Sequence, residues 1–318
     1  MHVHHEDAGP LDLGPTAVAV GVFDGVHRGH VRVLDELRAV AAAEGATAVV
    51  VVADRHPRTV VDPDSIPRLL TDLPHRIELL AACGIEHVHV LRLDERRSLQ
   101  PAEGFVREVL VDRLGAVALV GGEDLHPGHR RRGDAQHLEA QAEALGLRVV
   151  TVPLQRDDAT GEPISSTLVR AALAEGRVED AAALLGRPHE VRGVVEPGDA
   201  RGRTIGFPTA NVAVPGAVAL PADGVYGGWF TAGDGVERAA AINIGRRPTF
   251  YDESGLRLVE AHVLDFEGDL YGQAAAVRVV ARIRDEVRFD GVDALVDQLR
   301  RDVAQVRQVL LGSATGTS

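Results

Sequence analysis

Apolar residues are arranged in two ways along this chain, and the change of pattern divides it. Up to about residue 150, short apolar runs alternate with longer amphipathic stretches. The runs 17–22, 48–52, 87–91, 117–120 and 148–152 are strand-like, and most of them are apolar without regular polar alternation, as strands buried on both faces of a parallel sheet are. Between them, 29–44, 74–83, 101–113 and 134–145 carry apolar residues at helical spacing. Pro101 suits a first helical turn, and Gly45, Gly84, Gly115 and Gly146 stand where helices end. This predicts a doubly wound α/β domain of Rossmann-like type, with ligands bound at the carboxyl ends of its strands.

Two short helices are expected over 166–175 and 178–185, and Gly186-Arg-Pro188 then breaks the pattern. From Val191 the texture changes to short β-like runs, about 191–195, 225–231, 238–244, 257–264 and 275–283, separated by Gly, Pro and Asp. That pattern predicts a small antiparallel β-barrel. A last helix, 291–311, has Val292, Leu295, Val296, Leu299, Val303 and Val306 on one stripe. The expected domains are 1–187 and 188–318, and the tail 312–318 is expected to be disordered.

Composition narrows the function. The 318 residues are 45% hydrophobic, enough for two cores. A net charge of −13 argues against nucleic acid as a partner, which calls for a basic face. The one basic run, Arg130-Arg-Arg132, reads as a solvated loop. All 34 basic residues are Arg. A P-loop needs Lys after its glycines, so phosphate chemistry here must use another cradle. A single cysteine, Cys83, leaves no intramolecular disulfide or Cys-rich metal site. No apolar run approaches the ~20 residues of a membrane span, and the N-terminus lacks a signal-peptide core. The expectation is a cytoplasmic protein with no membrane partner, its self-association left open.

Gly21-Val-Phe-Asp-Gly-Val-His-Arg-Gly-His30 joins the first apolar run to the first helix. The first-turn N–H groups of that helix sit at the positive end of its dipole and form an anion site. His27 and His30, three residues apart, project to the same side and can hold nucleotide phosphates while charge builds on the α-phosphate. Farther on, Ser165, Ser166 and Thr167 can cap a helix, and Arg170 follows one turn later, a second phosphate grip. The alternative is two solvated histidines and an ordinary N-cap.

A separate constellation begins at Arg201-Gly-Arg-Thr-Ile-Gly-Phe-Pro-Thr-Ala-Asn211. Gly202 and Gly206 permit close backbone approach to a ligand. Thr209 and Asn211 share a face if the chain is extended, and their oxygens can hold a Mg²⁺ that bridges phosphates. Glu260 lies in an apolar run, where a carboxylate is costly without a task; a general base for a primary alcohol suits it. Turn-forming residues and a polar strand face are the plainer alternatives.

The first pair of motifs resembles that of the nucleotidyltransferase superfamily, in the form carried by prokaryotic FAD synthetases, which add AMP from ATP to FMN. The resemblance implies that His27 and His30 steady the α-phosphate, that Ser165, Ser166, Thr167 and Arg170 hold the pyrophosphate, and that Gly21, Phe23 and Gly29 lie along the nucleotide. Across about 190–305, Gly-Arg-x-x-Gly-Phe-Pro-Thr-Ala-Asn, Asn-Ile-Gly-x-Arg-Pro-Thr, Val-Glu-x-x-x-Leu-Asp-Phe-x-Gly-Asp-Leu-Tyr-Gly and Arg284-Asp-Glu286 with Phe289 are similar to the riboflavin kinase module. There the resemblance implies that Thr209 and Asn211 hold Mg²⁺ and ATP, and that Glu260 deprotonates riboflavin. Together they imply a bifunctional enzyme with riboflavin, FMN and ATP as partners.

The first domain departs from the family where FMN docks. Val52-Ala-Asp-Arg-His-Pro57 replaces Thr-Phe-Asp-Pro-His-Pro, and Gly122-Glu-Asp-Leu-His-Pro-Gly128 replaces Gly-Glu-Asp-Phe-Arg-Phe-Gly. Asp54, Pro57, Asp124 and Leu125 are the flavin-binding residues this implies. The lost aromatics leave three readings: FMN binds through Leu125 and Pro127, the domain uses another acceptor, or it is regulatory beside a working kinase. A flavin-sensing or RNA-binding paralogue without turnover is a further class.

Overall fold

A six-stranded parallel sheet and a closed barrel carry the two patterns. The strands of the sheet are β1 (His2–His5), β2 (Thr16–Gly21), β3 (Thr47–Ala53), β4 (His87–Leu91), β5 (Ala116–Gly122) and β6 (Arg148–Val152). This computed structural model describes all residues except 7–8, 124–141, 199–200, 247–256 and 313–318. The expected helix at 134–145 therefore lies almost wholly outside the described residues, as does the tail 313–318.

The strand order is β1-β4-β3-β2-β5-β6. The chain runs one way from β2 through β3 to β4, then returns to the other side of β2 for β5 and β6. The carboxyl end of β2 is thus the topological switch point, where ligands of such sheets bind. Alternate strand residues feed two cores. Ala17, Ala19, Val50 and Val52 pack on one face with Leu34, Leu37 and Val40 of the helix Arg28–Glu44 and Leu80 of the helix Leu73–Ala82. Val18, Val49 and Val51 pack on the other with Phe105, Val106, Val109 and Leu110. The helix expected at 101–113 begins as a short α-helix, Ala102–Phe105, and widens into a π-helix, Val106–Arg113.

The barrel strands are β7 (His189–Glu196), β8 (Ala210–Ala213), β9 (Gly224–Thr231), β10 (Glu237–Arg246), β11 (Arg257–Val263) and β12 (Ala274–Arg284), in the closed order β10-β11-β8-β7-β12-β9. Every neighbouring pair is antiparallel. Five runs were expected; β8 supplies the sixth, and with it the barrel closes without a free edge. The C-terminal helix, Val292–Leu311, lays Val303, Val306 and Leu310 against Trp229, Ala239 and Leu264.

Packing divides the chain after Ser166, into Met1–Ser166 and Thr167–Ser318, earlier than the expected change of domain at 187–188. The reason is the helix pair Ser166–Ala174 and Val178–Leu185. Leu173 accepts the Ala222 N–H at 2.8 Å, Glu179 accepts the Arg282 N–H at 3.0 Å, and the Arg282 guanidinium donates to the Glu175 carbonyl at 3.0 Å. Those contacts tie the pair to barrel residues.

Two candidate active sites

Strand β2 runs out into Val22, and the chain turns through Phe23, Asp24, Gly25 and Val26. Phe23, Gly25 and Val26 have φ of 49°, 81° and 40°. Positive φ is ordinary for glycine and unusual for a β-branched residue. His27 then caps the helix Arg28–Glu44, its Nδ1 accepting the His30 N–H at 3.3 Å. Since Nδ1 accepts, neutral His27 carries its proton on Nε2, so that edge of the ring is a donor. The rings of His27 and His30 stack at 3.6 Å between centroids and 17° between planes. The two histidines are brought together as expected, with one difference: one first-turn N–H is used by His27 itself.

Around them, Gly29 has little room for a side chain. A Cβ there would stand 3.2 Å from the His27 Nδ1 and 3.4 Å from the Ile164 carbonyl. A Cβ at Gly21 would stand 2.9 Å from the Phe23 ring. Phe23 is 4% exposed, and its ring packs on His30 at 5.1 Å. Ser166 donates its hydroxyl to the Asp24 carbonyl at 2.8 Å, which joins the second motif to the first. Thr167 and Arg170 continue the same helix in the second unit.

Asp54 stands at the end of β3, where it accepts the Leu93 N–H at 3.0 Å and pairs with Arg55 at 2.9 Å. Burial pulls its carboxyl upward, but the hydrogen bonds from Arg55 and Leu93 prevail and hold it below the usual range. Pro57 precedes the short helix Arg58–Val61. Asp124 and Leu125 lie outside the described residues.

In the second unit a cavity of about 760 Å³ opens beside the outer face of the barrel wall, lined there by Asn211, Asn243, Leu258, Glu260 and His262 and on another side by Leu295, Leu299 and Asp302 of the C-terminal helix. Strict alternation explains the outer face: Val259, Ala261 and Val263 are buried in the barrel, so Leu258, Glu260 and His262 point away. Glu260 is directly opposite Asn211 on β8 and Asn243 on β10. The three form one row, and Asn243 donates to the Glu260 carboxylate at 3.5 Å. Thr209 lines the same cavity just before β8.

The glycines of this motif work within the chain. A Cβ at Gly202 would overlap the Phe207 carbonyl, and Arg201–Thr204 forms a short helix where close approach to a ligand was expected. Gly206 has φ of 83°. Both Gly202 and the backbone they shape still border the cavity.

The comparisons with known proteins decide the family. A family model described as FAD synthetase matches residues 10–168, and one described as riboflavin kinase matches 185–310. Proteins called bifunctional riboflavin kinase/FMN adenylyltransferase are 35% identical in Listeria monocytogenes, over 91% of both chains, and 36% identical in Escherichia coli K12, over 92% of this chain and 91% of that one. This chain belongs to the bifunctional riboflavin kinase/FMN adenylyltransferase family. A crystal structure described as a macrolide-efflux protein from Streptococcus pneumoniae also matches, at 30% identity and a TM-score of 0.85, over 96% of this chain and 99% of its own. No helix among the described residues is long and apolar enough to cross a membrane.

Within this bifunctional family frame, sequence reasoning passed over several residues that build the sites. Asn243 and Glu286 were quoted only as parts of motifs. Glu286 lies so close to Gly245 that a Cβ there would overlap its carboxylate. Burial, then the charge of Asp223, push the Glu286 carboxyl up against the pull of Arg257 and Arg284. Asp302 is 1% exposed and takes a two-pronged grip from Arg284 at 2.7–3.1 Å. A signal for it existed: Asp302 falls between Leu299 and Val303 on the apolar stripe of the last helix, where a charge must have a partner.

Proposed function

We propose that this chain phosphorylates riboflavin to FMN with ATP at the barrel site and adenylylates FMN to FAD with ATP at the sheet site. Both activities follow from the family, and the matching of both family models to separate segments is the observation that carries the reading. We assign adenylyl transfer to residues 1–187 and riboflavin phosphorylation to 188–318.

At the barrel site Glu260 accepts the proton of the ribityl 5′-hydroxyl, whose oxygen attacks the γ-phosphorus in line as ADP leaves. Asn243 steadies that carboxylate. The hydroxyl of Thr209 and amide oxygen of Asn211 are hard donors suited to Mg²⁺. Thr209 and Asn211 would hold the ion, with water and phosphate completing its shell. When bound, Mg²⁺ neutralises phosphate charge. Gly202 and Gly206 shape the loop beside the nucleotide.

At the sheet site a phosphate oxygen of FMN attacks the α-phosphorus of ATP and pyrophosphate leaves. His27, through Nε2–H, and His30 donate to the α-phosphate oxygens as their charge grows. Ser165, Thr167, Arg170 and the helix start at Ser166 hold the departing pyrophosphate. Gly21, Phe23 and Gly29 border the nucleotide, and Asp54 and Pro57, with Asp124 and Leu125, receive the flavin end. We place both reactions in the cytoplasm.

The test is incubation with riboflavin, ATP and Mg²⁺, followed by chromatographic separation of the flavins. FMN and then FAD should accumulate. FMN without FAD would remove the adenylyl-transfer half; absence of both would remove the kinase half.

A further inference from the structure

Asp24 takes no part in the chemistry above, yet it is 2% exposed and heavily bonded. Its carboxylate accepts the N–H groups of Leu70 and Thr71 at 2.9 and 3.0 Å and faces the Arg76 guanidinium at 3.7 Å. The Thr71 hydroxyl, 3.3 Å from the same carboxylate, accepts the Gly25 N–H at 3.1 Å. Arg76, also buried, donates to the Thr71 carbonyl at 2.9 Å. These bonds grip the turn in which Phe23 and Val26 have positive φ. Backbone held in such a conformation persists only where its surroundings over-determine it. The residue that follows Val26 is His27. The Asp24 carbonyl, in turn, accepts the Ser166 hydroxyl.

We propose that Asp24, Thr71 and Arg76 are positioning residues for adenylyl transfer: a buried clamp that holds the left-handed turn aiming His27 and, through the Asp24 carbonyl, fixes Ser166 to it. This rests on the adenylyltransferase reading of the first unit. Folding alone does not explain the arrangement. A buried ion pair is seldom better for stability than apolar packing of the same shape, and glycine at 23 and 26 would turn the chain without strain.

Thr71→Val and Thr71→Ser in the full chain test it. Valine keeps the shape and loses the hydroxyl; serine keeps the hydroxyl. Thr71→Val should lower kcat for FAD formation ~10–100-fold, leave KM for ATP and FMN formation from riboflavin within about 2-fold, and shift the His27 and His30 ring resonances in NMR spectra. Thr71→Ser should restore kcat to within about 2-fold and leave the rings in place. Unshifted rings with unchanged kcat in Thr71→Val would overturn the clamp, as would a fall in melting temperature with kcat per folded molecule unchanged. If the unsubstituted chain makes no FAD, the adenylyltransferase reading fails. The ring resonances then decide the clamp by themselves: a shift in Thr71→Val but not Thr71→Ser supports it, and no shift overturns it. Should Thr71→Val not fold, Arg76→Lys replaces it, with a smaller fall in kcat and the same ring shift expected; an unmoved ring would again overturn the clamp.

Discussion

His27 and Glu260, the side chains to which we assign the chemistry, are set in place in two ways. His27 is prepared by its backbone, since the helix N–H it accepts selects which ring nitrogen carries the proton. Glu260 is prepared by register, since antiparallel pairing sets it between two asparagines. Removing a ring of the histidine stack, or the carboxylate, should separate the activities. His30→Ala, which deletes the partner ring of the stack, should cut FAD formation at least ~100-fold and leave FMN formation intact. Glu260→Gln should cut FMN formation ~100-fold or more and leave FAD formation from supplied FMN intact. Flavin chromatography of both variants checks this; loss of both products in either one would show a shared site. The histidines were legible because glycine, a strand end and a helix start coincide around them. The strain at Phe23 and Val26, about 1–3 kcal/mol each, was not. No periodicity records a positive φ at valine, and the Asp24 clamp that sustains it reaches to Leu70, Thr71 and Arg76.

Among the elements, those with continuous apolar runs were legible and those without were not. Strand β1 is polar, four residues long and at the sheet edge, so nothing in its pattern marks it. β8 hides in Pro-Thr-Ala-Asn, because its outward residues serve the cavity. The cost of the polar edge shows beneath it. His89 of β4 is wholly buried, and among the described residues neither ring nitrogen has a hydrogen-bond partner. Burial, then the positive charge of Arg113, lower its pKa to about 4 against the opposing pull of Glu6. A depressed histidine binds its proton more readily in the unfolded chain. The unfolded state therefore gains protons first as pH falls from 6.5 toward 4, and stability is lost across that window, by about 3 kcal/mol at most. His89→Leu should flatten the pH dependence of the first unit's melting between pH 6.5 and 4, measured by circular dichroism. A slope equal to that of the unsubstituted chain would count against His89 as its source.

For the whole molecule, the unit that packs and the segment that matches a family model do not begin at the same residue. The kinase match starts at 185, but Val178, Ala181, Leu184 and Leu185 are buried within a unit that starts at Thr167. A fragment 167–318 should therefore make FMN and melt at least about 10 °C above a fragment 188–318. Thermal melts and riboflavin turnover of the two fragments check this; equal melting temperatures would mean that the helix pair adds nothing to the barrel. The chain's one tryptophan, Trp229, sits on β9 against Val303 and Val306 of the last helix. Indole emission will thus follow the seating of that helix, and with it one wall of the cavity beside the barrel, while the parallel sheet stays dark. A fluorescence melt reports half of this enzyme, and only ellipticity or product will speak for the histidines.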